Sequence, residues 1–288
     1  MSDLFAAYSE MLQSPLMQRA LIVAVLVGLS APVIGTYLVQ RGMALMGDGI
    51  GHVSLTGVAI GWLTAGALNL APRDVLAVPG AIAASIVGAV LIELVRAHGR
   101  TGGDVALAML FYGGIAGGVL LMGLADSTSA NLMRYLFGSV AVVLPEDVLY
   151  TAVMAAAILA VGIGLRGPLF ALSHDEDFAR SCGLPVRTLN VLVAVVAALT
   201  VSVAMRVVGV LLVSAVMIVP VAIAQLLSHS FVRTMAISMG IGVAVSVVGL
   251  VTTYFKALPS GATIVIMLIA LYIMAAVGRA AVGVCVRR

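Results

Sequence analysis

Long uncharged apolar runs, repeated from one end of the chain to the other, constrain this fold more than any other feature. Candidate spans lie at 19–39, 44–66, 74–96, 104–125, 147–166, 188–206, 209–227, 233–253 and 261–278. About 20 predominantly apolar residues are what an α-helix needs to cross the hydrocarbon core of a bilayer. Only 9% of the 288 residues are charged and 62% are hydrophobic, against roughly 25% charged in globular domains. Backbone polar groups in lipid must be satisfied within the chain, which leaves helices or closed barrels, and runs this long and continuous are helical. The sequence thus predicts an all-α polytopic membrane protein with about eight or nine transmembrane helices, forming a single domain over 1–288. The division of 188–227 rests on Arg206 alone.

Basic residues orient such a chain, because loops rich in Lys and Arg stay on the cytoplasmic side. The loop Arg96–Arg100, the segment with Arg166, Arg180 and Arg187, the turn His229–Arg233 and the tail with Arg279, Arg287 and Arg288 all read as cytoplasmic. Arg41 falls on the same side. Residues 67–73, 126–146 and 254–260 then lie outside. The net charge of +3 comes from these loop arginines and does not indicate nucleic-acid binding. Cys182 and Cys285 are too few for a disulfide framework and read as reduced thiols. The segment Met1–Pro15 lacks a basic region followed by a cleavage site, so no removable signal peptide is expected.

Two segments do not span. Asn131–Leu144 reads as an interfacial or re-entrant helix on the outer side, ended by Pro145. Ser173–Pro185 is the longest polar stretch. Ser173 with Glu176 fits a capping box, the acidic residues Asp175–Asp177 suit a helix start, and Arg180 suits its end. Gly183 fits a C-terminal cap and Pro185 blocks continuation. A short cytoplasmic helix at about 174–182 follows, with the apolar pair Phe178-Ala179 suited to docking on a partner.

Chemistry concentrates in the second span. Asp48 and His52 stand four residues apart, on one face of a helix and one turn apart, and Thr56 continues that face. A charged residue at the bilayer centre costs ~2.5–3.5 kcal/mol on insertion scales, so an intramembrane Asp points to function. Carboxylate plus neutral imidazole suits a divalent transition metal. A packing pair bonded to each other and a proton relay are the other two readings. Gly47, Gly49 and Gly51 surround the pair and suit a partly unwound backbone along a cavity. The pairs Gly57/Gly61, Gly113/Gly117 and Gly114/Gly118 read as close helix contacts or a dimer seam. Pro32 and Pro220 sit mid-span, as kinks or a gate. The 15 Met residues are scattered and read as packing. His98, His174 and His229 read as loop residues, Glu93 as reaching the interface beside Arg96, and Arg206 as a headgroup contact. No P-loop, HExxH, GxSxG or CxxC occurs, so a self-contained ATPase or membrane protease is unsupported.

These blocks resemble the permease subunits of zinc/manganese/iron-uptake ABC transporters. The match is carried by Gly35–Arg41 running into Gly47-Asp48-Gly49-Ile50-Gly51-His52 and on to Ala59, by Leu132–Ser139 with Pro145-Glu146-Asp147, by Asp177-Phe178-Ala179 with Gly183, and by Val208–Ala215 through Pro220-Val221-Ala222 to Leu258–Gly261. It covers about 16–278. The resemblance implies a non-catalytic subunit of a bacterial plasma-membrane importer. Two copies would pair with two cytoplasmic ATPases and receive metal from an extracytoplasmic binding protein. Asp48 and His52 would line the translocation path. Asp177, Phe178, Ala179 and Gly183 would form the coupling element that meets the ATPase. No cofactor would be bound permanently; zinc, manganese or iron would be cargo. Gly49, Gly51 and Val221 depart from the family's usual residues. Phe111 or Tyr112 stands where some zinc-type members carry His, which leaves the metal open. A secondary or proton-coupled metal transporter, and an intramembrane hydrolase, are the rival expectations.

Overall fold

The computed structural model describes residues 10–70, 73–97, 103–125, 135–138, 145–256 and 258–286. Every extended element among them is a helix. They are α1 (Pro15–Gln40), α2 (Met46–Ala67), α3 (Ala77–Ala97), α4 (Gly103–Leu124), α5 (Pro145–Gly164), α6 (Arg166–His174), α7 (Glu176–Ser181), α8 (Val186–Val208), α9 (Val210–Leu227), α10 (Phe231–Phe255) and α11 (Ser260–Val286). Seven of these are long and apolar enough to cross a bilayer, and α8 and α9 carry two shorter apolar stretches, Val186–Ser202 and Leu212–Leu227. This agrees with the expected all-α polytopic architecture.

α1 lies at the centre, with 72% of its apolar window buried against 17% for α11 at the periphery. It packs on α5, α8, α9 and α10, while α2 packs on α3 and α4. Large apolar side chains such as Met109, Leu120, Ile266 and Met274 are exposed; for a membrane chain that surface meets lipid or another chain, not water.

Small residues set the closest helix approaches. A Cβ on Gly57 would clash with the Gly80 carbonyl and lie 2.6 Å from the Ala84 Cβ, and one on Gly61 would clash with the Leu76 carbonyl. The pair Gly57/Gly61 is therefore the α2–α3 contact within one chain, not a dimer seam. Gly114 and Gly118 meet His52, Val53, Leu55 and Thr56 of α2, again within the chain. Pro32 sits inside α1, where its missing N–H frees the carbonyl of Gly28. Gly28 and Gly242 of α10 meet backbone to backbone at that point. Pro220 lies inside α9.

The run 188–227 divides at Gly209, three residues after the expected Arg206. Gly209 has φ 87 and ψ 151, a conformation open essentially to glycine alone. A Cβ there would clash with backbone of Leu136, Phe137 and Gly138. Tyr135–Phe137 is helical, and Tyr135 meets the Trp62 ring edge-on at 5.3 Å. The rest of the expected Asn131–Leu144 helix lies outside the described residues, as do His98 and the side chains of Arg206 and Cys285; Pro145 begins α5.

The short polar helix is present, with a different start. α6 runs through Ser173, whose hydroxyl donates to the Leu169 carbonyl at 2.7 Å. The N-cap is Asp175, which accepts from the Asp177 and Phe178 N–H groups at 3.0 and 2.9 Å. The expected helix 174–182 is thus Glu176–Ser181, because Ser173 belongs to the preceding helix and Asp175 turns the chain. Its end is as expected. Gly183 has φ 77, Gly183 N–H donates to the Arg180 carbonyl and Leu184 N–H to that of Ala179, the Schellman pattern. Ala179 is fully buried and Phe178 is 61% exposed, so the two do not form one outward patch; only Phe178 points outward.

Candidate functional site

α2 is helical from Met46, so the stretch around Gly47, Gly49 and Gly51 is not unwound. The glycines serve approach instead. A Cβ on Gly49 would stand 3.3 Å from the Leu107 side chain of α4, and one on Gly51 would stand 3.3 Å from the Val210 carbonyl of α9. They draw α2 between these two helices and bring Asp48 and His52 to that junction.

Asp48 lies in the first turn of α2, where the free N–H groups and the helix dipole favour a carboxylate. Its Oδ1 accepts a hydrogen bond from Ser214 Oγ of α9 at 3.1 Å. His52 is 3% exposed. Its ring stands edge-on to Phe111 of α4, centroids 4.4 Å apart, and its Nδ1 is buried with no hydrogen-bond partner. Asp48 and His52 make no hydrogen bond to each other, so the packing-pair reading lacks its defining contact. Thr56 continues the face as expected, its hydroxyl donating to the Gly114 carbonyl of α4 at 2.8 Å.

A cleft of about 300 Å³ opens beside the carboxylate, lined by Leu45, Asp48, Leu107, Ala108, Phe111 and Tyr112. Asp48 is thus the charged residue lining this mostly apolar cleft, and His52 stands behind its Phe111 wall. Among the described residues no group of three His, Cys, Asp or Glu is placed to hold a metal ion. The donors suit a transit position more than a closed structural site, which takes four protein ligands. The sequence reading did not single out Ser214 as a site residue; its only local signal was a hydroxyl inside an apolar run. Of Phe111 and Tyr112, one of which stands where some zinc-type relatives carry His, Phe111 meets the His52 ring.

The other candidates lie elsewhere. Pro32 and Pro220 are in α1 and α9, and none of the cleft-lining residues is a proline. His174 stacks with Phe170 at 4.4 Å, and His229 lines a surface hollow with Ser228, Ser230 and Arg233. Glu93 is 7% exposed and pairs with Arg96 at 3.0 Å, so it is held inside rather than reaching outward. Asp177 is exposed and pairs with Arg180 at 2.9 Å.

Comparison with known proteins places these features. The model of the ABC 3 transport family matches residues 13–279. The chain is 30% identical over 275 residues to the manganese transport system membrane protein MntC of Halalkalibacterium halodurans, covering 96% of this chain and 91% of that one. It is 32% identical over 250 residues to the manganese import system permease protein ScaB of Streptococcus parasanguinis, covering 87% and 86%. Among solved structures, PsaBC from Streptococcus pneumoniae in complex with Fab superposes with a TM-score of 0.82 at 30% identity, covering 94% of this chain and 95% of that one.

Proposed function

This chain belongs to the ABC 3 transport family, a multi-pass bacterial membrane protein, and from that premise we propose that it is the membrane-spanning permease of an ATP-driven importer of manganese or a related divalent metal. The observation that carries the reading is the Asp48 carboxylate, bonded to Ser214, lining a cleft inside apolar helices together with Phe111, the ring that the buried His52 meets. An ionisable side chain lining an apolar cleft within the helix bundle points to a use other than packing.

The donors favour manganese among the three metals. Asp48 and Ser214 offer oxygen and His52 offers one nitrogen; carboxylate, hydroxyl and water oxygens suit manganese, while more imidazole or thiolate would favour zinc. The ring that meets His52 is Phe111, which offers no donor atom. The set is incomplete, so water or backbone oxygens fill the shell, and the ion is held weakly enough to leave again, as conduction requires. The chain performs no catalysis of its own in this reading and holds no resident cofactor.

Its partners follow the same logic. A cytoplasmic ATPase subunit meets α7, an extracytoplasmic protein delivers metal, and a second copy completes the permease. Binding and hydrolysis of ATP shift the assembly between outward- and inward-facing states by binding one of them more tightly. Phe178, exposed on a helix otherwise held by Asp175 and Gly183, supplies the apolar contact. Phe178→Asp should lower ATPase co-purification by about tenfold, with normal insertion of the permease. Gly183→Val should misplace α7, because a branched residue at φ 77 is strained by ~1–3 kcal/mol. Normal transport by both variants would remove α7 from the coupling role.

Growth rescue tests the function. The chain, expressed with its ATPase and binding protein in a bacterium lacking metal uptake, should restore growth under manganese limitation more than under zinc limitation. Rescue without the ATPase would favour a secondary transporter.

A further inference from the structure

The end of α1 is tied to α7 and α8 by a partly buried polar network. Arg41 follows the last residue of α1, and its side chain is 6% exposed. Its Nη2 donates to Asn190 Oδ1 of α8 at 2.7 Å and lies 3.7 Å from Glu176 Oε2 at the start of α7. Asn190 Nδ2 in turn donates to Glu176 Oε1 at 3.2 Å. The three side chains close a triangle over three helices. Burial and Arg96 push the Arg41 pKa down, while Glu93 and Glu176 hold it up; an arginine stays charged throughout.

The link from Arg41 onward is short and stiff. Gly42 has φ 66. Gly42 N–H donates to the Val39 carbonyl at 3.1 Å, Met43 N–H to that of Leu38 at 2.8 Å, and Met46 N–H to that of Met43 at 3.0 Å. This is a second Schellman closure, followed at once by α2. Asp48 lies seven residues after Arg41. No slack loop separates the guanidinium from the Asp48 carboxylate.

We infer that the Arg41–Asn190–Glu176 triangle is a strut that carries displacement of α7 into the α1–α2 corner and so moves Asp48 and His52 relative to Ser214 and Phe111. Arg41 is a positioning residue: it touches no metal and acts through α2. The inference rests on the reading of α7 as the ATPase-facing element. The side-chain contacts of the triangle and the α1–α2 turn then join α7 to the cargo-facing residues, by a packed chain of contacts of the kind that carries coupling between sites.

The test is coupling stoichiometry. Wild type, Arg41→Gln, Glu176→Ala and the double variant are reconstituted in proteoliposomes with the ATPase, and manganese moved is measured per ATP hydrolysed. Each single variant should lower that ratio about tenfold, in the range of a coupling interaction. ATPase association and manganese binding by the permease should stay within about twofold, and the double variant should be no worse than either single, since both break one linkage. A merely structural role would lower folded protein and leave the ratio alone. An unchanged ratio, a loss of association in step with transport, or a double variant with the product of the two effects would each overturn the strut. If Arg41→Gln fails to accumulate, Glu176→Ala decides alone, because Glu176 is 38% exposed in its side chain and its removal leaves the bundle filled. Wild type that moves no manganese with ATP would instead overturn the importer reading itself, and the strut with it.

Discussion

Asp48→Asn should abolish most metal uptake while leaving the permease folded in the membrane. The amide keeps the size of the carboxylate and can still accept from Ser214 Oγ, which stands 3.1 Å from Oδ1. It loses the negative charge that faces the cleft, and in a low-dielectric space that charge dominates attraction for a divalent cation. Mutating groups that merely orient metal ligands costs roughly 10–100-fold, so losing a ligand's charge should cost about a hundredfold in uptake. His52→Ala should act in the same direction by removing the imidazole whose Nδ1 has no other partner. The check is radiolabelled manganese uptake divided by the amount of folded permease. A structural role predicts the opposite division, because a broken buried polar pair destabilises the fold. Uptake that falls only in proportion to folded protein would retire the metal-path reading of both residues.

The largest effect on folding should come from Gly57→Val. The backbones of α2 and α3 touch there: a Cβ on Gly57 would collide with the Gly80 carbonyl, and one on Gly80 would collide with that of Gly57. Backbone cannot move aside as a side-chain tip can, so the helices must separate. Overpacking of this kind costs about 3 kcal/mol, and in lipid no hydrophobic effect restores the contact, since helix association depends on close packing. Trp62, five residues on, would lose its register with Asp74, to which Nε1 donates at 2.7 Å. Gly57→Val should therefore yield little folded permease, with a lowered unfolding temperature for what remains. Gly240→Val is the control, because nothing lies within 4 Å of a Cβ at that position. Equal stability of the two variants would contradict the α2–α3 seam.

Periodicity and charge make the membrane spans legible in the sequence, because the bilayer fixes span length and penalises interior charge. The same penalty made Asp48 conspicuous. Contacts made across the chain left no such local mark. Ser214 and Asp48 are 166 residues apart, and Arg41 and Asn190 are 149 apart; one sequence carries no signal that they meet. The glycine pairs were recognised as contact surfaces, but Gly57 and Gly61 turned out to face α3 of the same chain, because spacing shows that a helix can be approached closely and not by what. The start of α7 was misplaced for a different reason. Ser173 and Asp175 are both good caps, and the choice fell to whether α6 continued through Ser173. The division of α8 from α9 followed the backbone freedom of Gly209 and its contact with Leu136–Gly138, not the charge of Arg206.

As a permease of this kind, the chain passes a divalent metal along Asp48 and His52 only when a separate ATPase drives it. Accumulation of radiolabelled manganese in proteoliposomes tests it most directly, with the permease alone, with the ATPase, and with the ATPase but no ATP. Accumulation against a gradient is expected only with the ATPase and ATP, and Asp48→Asn should reduce it to the level of the permease alone. Equal accumulation without the ATPase, or full ATP-driven accumulation by Asp48→Asn, would contradict the account.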